Sequence, residues 1–173
     1  MSGTPAVPEP VPPPEGMLPE DPLPEVSAEV EEELEQLDVD APLVGIVMGS
    51  KSDMPTMEKA GAELDERGIH HEMRVMSAHR EPVQVADYAG NAKMRGLRVI
   101  IAGAGLSAAL PGVVAAHTEL PVIGVPLSSE KSAAGGLDAI LSALQLPPGV
   151  PVACVGLDNA RNAAILAARI LEA

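Results

Sequence analysis

Large aromatic side chains are almost absent from this chain. Its 173 residues include no Trp, no Phe and a single Tyr, Tyr88. The core must therefore be aliphatic, and it lacks the large area that each aromatic side chain would bury. We expect tight packing of Ala and Gly, and an oligomer whose subunit interfaces add stability.

Cysteine is equally scarce, since Cys154 is the only one in the sequence. A single thiol excludes an intrachain disulfide and a cysteine-based metal cluster. Because Cys154 falls in the apolar run of residues 150–157, we interpret it as a buried, inert thiol rather than a nucleophile.

Two further absences bear on location and partners. The N-terminal segment lacks the charged-then-apolar pattern of a secretory signal, and no apolar run is long enough to span a membrane. We therefore expect a cytoplasmic protein. Lys and Arg form no basic stripe, so the sequence does not have the pattern of a nucleic-acid binder.

Negative charge is plentiful, but it is concentrated at one end of the chain. The net charge is −14, and residues 1–40 contain twelve acidic residues with no Lys or Arg. Nine of the 18 prolines fall within residues 1–26. Such a segment cannot bury enough apolar surface to offset the entropy of ordering, so we predict a disordered acidic tail over residues 1–40. A short amphipathic helix within Ser27–Leu37 is the alternative.

The remaining residues, 41–173, alternate between short apolar runs and helical patterns. The predicted strands are Leu43–Met48, His71–Met76, Arg98–Ala102, Pro121–Val125 and Val150–Val155. The predicted helices are Met54–Arg67, Pro82–Met94, residues 107–117 with an interruption at Pro111-Gly112, Gly136–Leu144 and Asn159–Leu171. This alternation predicts one α/β domain, a three-layer sandwich with a five-stranded parallel sheet of flavodoxin-like or Rossmann-like type.

The first strand is followed by the loop Gly49-Ser50-Lys51-Ser52-Asp53. Backbone N–H groups at the start of a helix favour an anion, and Ser50 and Ser52 add hydroxyl donors. Asp53 can accept hydrogen bonds from sugar hydroxyls or cap the following helix. The second glycine and the Gly-Lys-Ser/Thr ending of a P-loop are missing. The loop is compatible with a phosphate site and with an ordinary turn.

The second strand is followed by Ser77-Ala78-His79-Arg80. Ligands bind at the carboxyl ends of strands in open α/β sheets, and a histidine there can exchange a proton near neutral pH. Arg80 can hold a phosphate or carboxylate through paired hydrogen bonds. The alternative is a loop histidine satisfied by backbone groups. His79 and Arg80 together suggest an enzyme that moves a proton on an anionic substrate.

The third strand ends in Gly103-Ala104-Gly105, within a formal match to the dinucleotide fingerprint GxGxxG/A. The match follows the third strand rather than the first, and the next strand ends without an acidic residue to bind a ribose. We therefore expect these glycines to let the backbone approach a small substrate, rather than to bind a dinucleotide.

Together these segments resemble the phosphoribosylaminoimidazole carboxylase family, catalytic-subunit type, of purine biosynthesis. The matching stretches are VGIVMGSKSDMPTM, VMSAHREP, VIIAGAG, ALPGVVAAHTELPVIGVPL, GGLDAILSALQLPPGVPV and NAAILAARIL, which together span residues 43–172. The resemblance implies a homo-octamer that acts on a small ribonucleotide without a metal or organic cofactor. It also implies a functional link to the ATP-dependent synthase that makes the N5-carboxylated substrate.

The resemblance assigns roles to individual residues. Its mutase branch moves a carboxylate from N5 to C4 of the aminoimidazole ribonucleotide, and its carboxylase branch takes CO2 directly. Arg80 after His79 resembles the mutase branch, because the carboxylase branch usually has a lysine there. His79 matches the general acid/base, and Ser50, Asp53 and Arg80 match substrate-binding positions. We further expect substrate contacts at Gly49, Ser77, Gly103 and Gly105.

Ala109 departs from the family pattern, since many mutases carry a histidine before the Leu-Pro-Gly run. Three alternatives to the mutase stay open. They are the direct carboxylase, a related domain that carboxylates a pyridine mononucleotide, and an inactive nucleotide-binding scaffold whose acidic tail recruits partners.

Overall fold

A computed structural model describes residues 41–173 of the chain. The predicted tail over residues 1–40, including the alternative helix within it, lies outside the described residues. The described residues are those in which the predicted strands and helices alternate.

Five parallel strands form one sheet in the order β2-β1-β3-β4-β5. They are β1 (Val44–Met48), β2 (His71–Val75), β3 (Val99–Gly105), β4 (Val122–Leu127) and β5 (Ala153–Cys154). This is the flavodoxin-like order. The chain passes from β1 to β2 at one edge of the sheet, and from β3 through β4 to β5 at the other edge. The predicted parallel α/β sheet is confirmed, and its switch point lies between β1 and β3.

Helices cover both faces of the sheet. They are α1 (Met54–Glu66), α2 (Pro82–Gly90), α3 (Ala109–Ala116), α4 (Leu137–Leu144) and α5 (Ala160–Leu171). One core joins α1 and α5 to the sheet, and a second core joins α2, α3 and α4 to its opposite face. The result is a three-layer sandwich, as predicted. None of the described helices has the length and apolar character needed to cross a bilayer.

Small residues replace aromatic bulk where α5 meets the sheet and α1. The residues that α5 buries are all alanines: Ala160, Ala163, Ala164, Ala167 and Ala168. The buried carboxylate of Glu63 on α1 accepts hydrogen bonds from Arg161 Nε at 2.5 Å and from Arg67 Nε at 2.8 Å. These bonds, the Arg161 one first, lower the pKa of Glu63. The Arg161 ion pair therefore stabilises the α1–α5 contact at pH values above the ordinary pKa of a glutamate, and this contribution is lost as pH falls through the lowered pKa of Glu63.

The end of β3 differs from the prediction. β3 continues through Gly103 to Gly105, since Gly103 pairs with Val125 and Gly105 with Leu127 of β4. The Gly-Ala-Gly segment is thus strand rather than loop, and it does not open a helix as a dinucleotide fingerprint does.

The predicted interruption of the third helix is wrong. α3 is continuous from Ala109 to Ala116 because Pro111 falls in its first turn, where a backbone N–H has no partner within the helix.

β5 is shorter than predicted, since only Ala153 and Cys154 pair with β4. Cys154 is half-buried, and burial raises the pKa of its thiol, which favours the unreactive protonated form.

Candidate functional site

The loops that follow β1, β2 and β3 meet at the carboxyl edge of the sheet. The Met76 N–H donates to the Met48 carbonyl at 2.9 Å, and the Gly49 N–H donates to the Gly103 carbonyl at 3.2 Å. A cavity of about 620 Å³ opens above these bonds. Its lining residues are Gly49, Ser50, Ser52, Asp53, Ser77, Ala78, His79, Arg80, Ala104, Gly105, Leu106, Ser107, Leu110 and Ser128–Lys131. The cavity therefore lies at the switch point, where this fold binds its ligands.

The loop after β1 presents hydroxyl groups at the start of α1. Ser50 caps a short 3-10 turn over Lys51–Asp53, and its Oγ accepts from Ser52 N–H at 3.3 Å and from Ser52 Oγ–H at 2.9 Å. Asp53 directly precedes α1 but makes no side-chain capping hydrogen bond to it. Its carboxylate therefore lines the cavity instead of serving the helix.

Burial raises the pKa of Asp53, and hydrogen bonds from the Ser50 backbone and the Ser52 side chain offset part of that effect. Burial penalises the charged form, so the ionised carboxylate destabilises the folded protein at neutral pH unless a ligand partners it. The cavity holds a carboxylate that a hydrogen-bond donor on a ligand would stabilise.

We predict that Asp53→Asn raises the free energy of unfolding at pH 7. A raised pKa means that the wild-type carboxyl stabilises the fold below its ordinary value of 3.8 and loses that contribution as pH rises through the raised value. The difference between variant and wild type should therefore shrink as pH falls towards 3.8. Urea unfolding at pH 7 and pH 4 measures it. A variant less stable than wild type at pH 7 would contradict the burial argument.

The loop after β2 is held in place by its own residues. Ser77 is buried, its N–H donates to Glu81 Oε2 at 3.1 Å, and its Oγ accepts from the Arg80 N–H at 3.4 Å. Arg80 Nη2 also donates to the Gly49 carbonyl at 3.0 Å, which ties the loops after β2 and β1 together. Further donors of the guanidinium are left for an anion in the cavity.

His79 is exposed within the cavity. Within residues 41–173 its imidazole takes part in no hydrogen bond, so the alternative of a backbone-satisfied loop histidine does not describe its geometry. Both ring nitrogens remain free to exchange a proton with a bound molecule.

The two glycines of β3 take different places. Gly105 lines the cavity, and a Cβ there would lie 2.9 Å from the Leu127 carbonyl oxygen, so only glycine fits without a shift. Gly103 lies beneath α1, where a Cβ would collide with the side chain of Met57. Gly103 therefore packs against α1 and is not among the residues that line the cavity.

Several residues that line the cavity have no role predicted from the sequence. Leu106, Ser107 and Leu110 follow β3, and the polar segment Ser128–Lys131 follows β4. The polar run Ser128–Lys131 could have been predicted as part of the site, because it directly follows a buried strand and all parallel strands end at the same edge of the sheet. Ala109, the residue that departs from the family pattern, does not line the cavity.

The metal-binding potential of the site is limited. Within residues 41–173, no three side chains of His, Cys, Asp or Glu converge as metal ligands would.

A parallel sheet of flavodoxin-like order, with an arginine and a histidine at its switch point, is typical of proteins that bind small anionic ligands. The AIR carboxylase family model matches residues 43–173, and the chain belongs to that family.

Named relatives come from both functional branches. The chain is 55% identical over 130 residues to an N5-carboxyaminoimidazole ribonucleotide mutase of Pyrococcus horikoshii, covering 75% of this chain and 72% of the relative. It is 53% identical over 133 residues to a phosphoribosylaminoimidazole carboxylase of Schizosaccharomyces pombe, covering 77% of this chain and 24% of that protein. The crystal structure of Treponema denticola PurE superposes with a TM-score of 0.67 at 38% identity, covering 76% and 80% of the two chains.

Proposed function

We propose that the chain is an N5-carboxyaminoimidazole ribonucleotide mutase of purine biosynthesis. It would move the carboxylate from N5 to C4 and give 4-carboxy-5-aminoimidazole ribonucleotide. The observation that carries the proposal is the meeting of Asp53, His79 and Arg80 around one cavity at the switch point. Family membership and the mutase names of relatives support the same reaction.

The binding step uses the two loops that Arg80 joins. The ribonucleotide phosphate lies on the loop Gly49–Asp53, where Ser50 and Ser52 line the cavity, and Arg80 adds a positive charge. Asp53 accepts hydrogen bonds from the ribose hydroxyls, which offsets the penalty of its burial. Gly105 and Ser77 border the same space, and Gly103 lies in the same strand but contacts Met57 of α1.

The chemical step needs one proton, which His79 gives and then recovers. Protonated His79 donates to the N5 carbamate nitrogen, the bond from N5 to the carboxyl carbon breaks, and CO2 is released into the site. C4 of the electron-rich ring attacks that CO2, and neutral His79 removes the proton from C4. The ring regains aromaticity and His79 returns to its starting form, so the chain's own histidine serves both proton transfers.

The second candidate is the direct carboxylase, which starts from aminoimidazole ribonucleotide and CO2. The carboxylase name of the S. pombe relative favours it, whereas Arg80, in place of the usual lysine of that branch, favours the mutase. The two reactions share the C4 attack and differ only in the source of CO2.

Turnover on two substrates tests the proposal. Purified protein is given N5-carboxyaminoimidazole ribonucleotide without ATP or added metal, and in parallel aminoimidazole ribonucleotide with bicarbonate. The mutase predicts fast conversion of the first substrate alone. Conversion of only the second substrate would identify the direct carboxylase instead. If neither substrate is converted, the mutase and the carboxylase are both refuted.

The apolar face of α4 supports an oligomer, proposed as the homo-octamer that the resemblance implies. Leu137, Leu141 and Leu144 follow helical spacing and are 47%, 44% and 56% exposed. Exposed apolar patches of this kind mark interaction surfaces. A cytoplasmic location and a functional link to the ATP-dependent synthase belong to the same proposal.

We expect Leu141→Glu to reduce the mass of the assembly in light scattering, because the interface would have to bury a charge. Met94→Glu is the matched control, since Met94 is also an exposed apolar side chain but lies outside α4. A wild-type monomer, or an unchanged mass for Leu141→Glu, would rule out α4 as the subunit contact.

A further inference from the structure

The cavity wall after β4 consists of four exposed residues, Ser128–Lys131, which we call the wall segment. It lies outside regular secondary structure, and exposed side chains contribute little packing to hold it. Its position must therefore depend on hydrogen bonds. The contacts of its first residue, Ser128, come from a distant part of the chain.

Asp158, in the connection from β5 to α5, holds the start of the wall segment. Its carboxylate accepts from the Ser128 N–H at 2.8 Å and from the Ser128 hydroxyl at 2.5 Å. Its own N–H donates to the Pro126 carbonyl at 2.9 Å. Three hydrogen bonds thus join Asp158 to the chain at the point where β4 becomes the wall segment.

The remainder of the segment is held locally. Ser129 N–H donates to Ser132 Oγ at 2.9 Å, and Ser132 N–H donates to the Ser129 carbonyl at 3.0 Å. Beyond it, Asp138 at the start of α4 accepts from the Ala133 N–H at 2.9 Å. The wall segment is therefore a small preformed turn, and Asp158 fixes it to the neighbouring strand end.

The backbone of Asp158 limits which residue types fit at this position. Its φ is +56°, in the left-handed region, where glycine is the least strained residue. Asp and Asn are the other residues that adopt this region readily. A carboxylate at this position therefore adds the two bonds to Ser128 that a glycine would lack.

We propose that Asp158 is a positioning residue for substrate binding, through the wall segment that it holds against the cavity. It does not itself line the cavity, and it acts by fixing Ser128 and the residues after it. A wall fixed in advance spares the ligand the entropy of ordering it on binding. This inference rests on the proposed mutase function for its substrate, but the contact itself does not.

Two variants separate the carboxylate from the backbone conformation. Asp158→Gly keeps the left-handed conformation and removes the acceptor. Asp158→Asn keeps both the conformation and a side-chain oxygen for the Ser128 N–H, and its amide can donate to the Ser128 hydroxyl. A loss in the glycine variant that the asparagine variant restores is therefore due to the hydrogen bonds.

The experiment measures KM and kcat on N5-carboxyaminoimidazole ribonucleotide, with amide hydrogen exchange of a peptide covering residues 128–132. For Asp158→Gly we expect faster exchange there, a KM raised about ten-fold and a kcat changed less than about three-fold. Asp158→Asn should stay within about two-fold of wild type in KM, because its hydrogen bonds remain.

Three results would overturn the inference. One is unchanged exchange in Asp158→Gly, and another is faster exchange with an unchanged KM. The third is an equal loss in both variants. If wild-type protein does not convert the substrate, the proposed function fails separately. KM is then measured with aminoimidazole ribonucleotide and bicarbonate. If neither substrate reacts, hydrogen exchange alone is the test, and unchanged exchange in Asp158→Gly refutes the role of Asp158.

Discussion

His79→Asn should fold normally and lose turnover on N5-carboxyaminoimidazole ribonucleotide by about 10³-fold or more, the range that general acid–base catalysis supplies. His79 is exposed in the cavity and makes no protein hydrogen bond within residues 41–173, so its replacement leaves the fold intact. Asparagine is polar and of similar size but cannot exchange a proton near neutral pH. Both proton transfers of the proposed mechanism are therefore lost together.

The matched control is His117→Asn. His117 directly follows α3 and lies outside the cavity lining, so this variant should keep wild-type kcat. Thermal unfolding of both variants checks that folding is unaffected. Turnover of His79→Asn close to wild type would remove His79 from the mechanism.

The second large effect is expected for Arg80→Ala, which should lower kcat/KM about 30-fold or more. Loss of a charge-assisted contact to an anion costs about 2–5 kcal/mol, and each 1.4 kcal/mol is a factor of about ten. The variant also loses the 3.0 Å bond from Arg80 Nη2 to the Gly49 carbonyl, which joins the two substrate loops. Most of the effect should appear in KM, because the guanidinium contacts the substrate anion in ground state and transition state alike.

Arg80→Lys separates charge from geometry. Lysine keeps the positive charge but not the planar set of donors that can serve Gly49 and an anion together. We expect an intermediate kcat/KM for the lysine variant. A KM within two-fold of wild type for Arg80→Ala would show that Arg80 does not bind the substrate.

The parallel sheet was readable from the sequence because its strands are short apolar runs and its helices are amphipathic or rich in alanine. β1, buried at every position, is one such run. Helix α3 was harder to predict, because Pro111 normally breaks a helix and is harmless only in the first turn. Its position relative to the helix start depends on where β3 ends, and sequence patterns fix element boundaries poorly.

The candidate site was predictable where residues follow strands in the chain, as Asp53, His79 and Arg80 do. The roles of the two β3 glycines could not be separated, because residues two positions apart share a face of a strand and the end of β3 could not be read from the sequence. Gly103 meets Met57 of α1, whereas Gly105 reaches the cavity. The bond from Asp158 to Ser128 joins residues thirty positions apart, and no local pattern encodes it.

The central claim is that the carboxyl group leaves N5 and reaches C4 inside one closed site. Substrate carrying ¹³C in the N5 carboxyl group, turned over in unlabelled bicarbonate and stopped early, tests this most directly by mass spectrometry of the product. If the proposed mechanism is right, nearly all of the label is found in the C4 carboxyl. Product with the isotopic composition of the bicarbonate would show that CO2 comes from solution and would rule out direct transfer from N5.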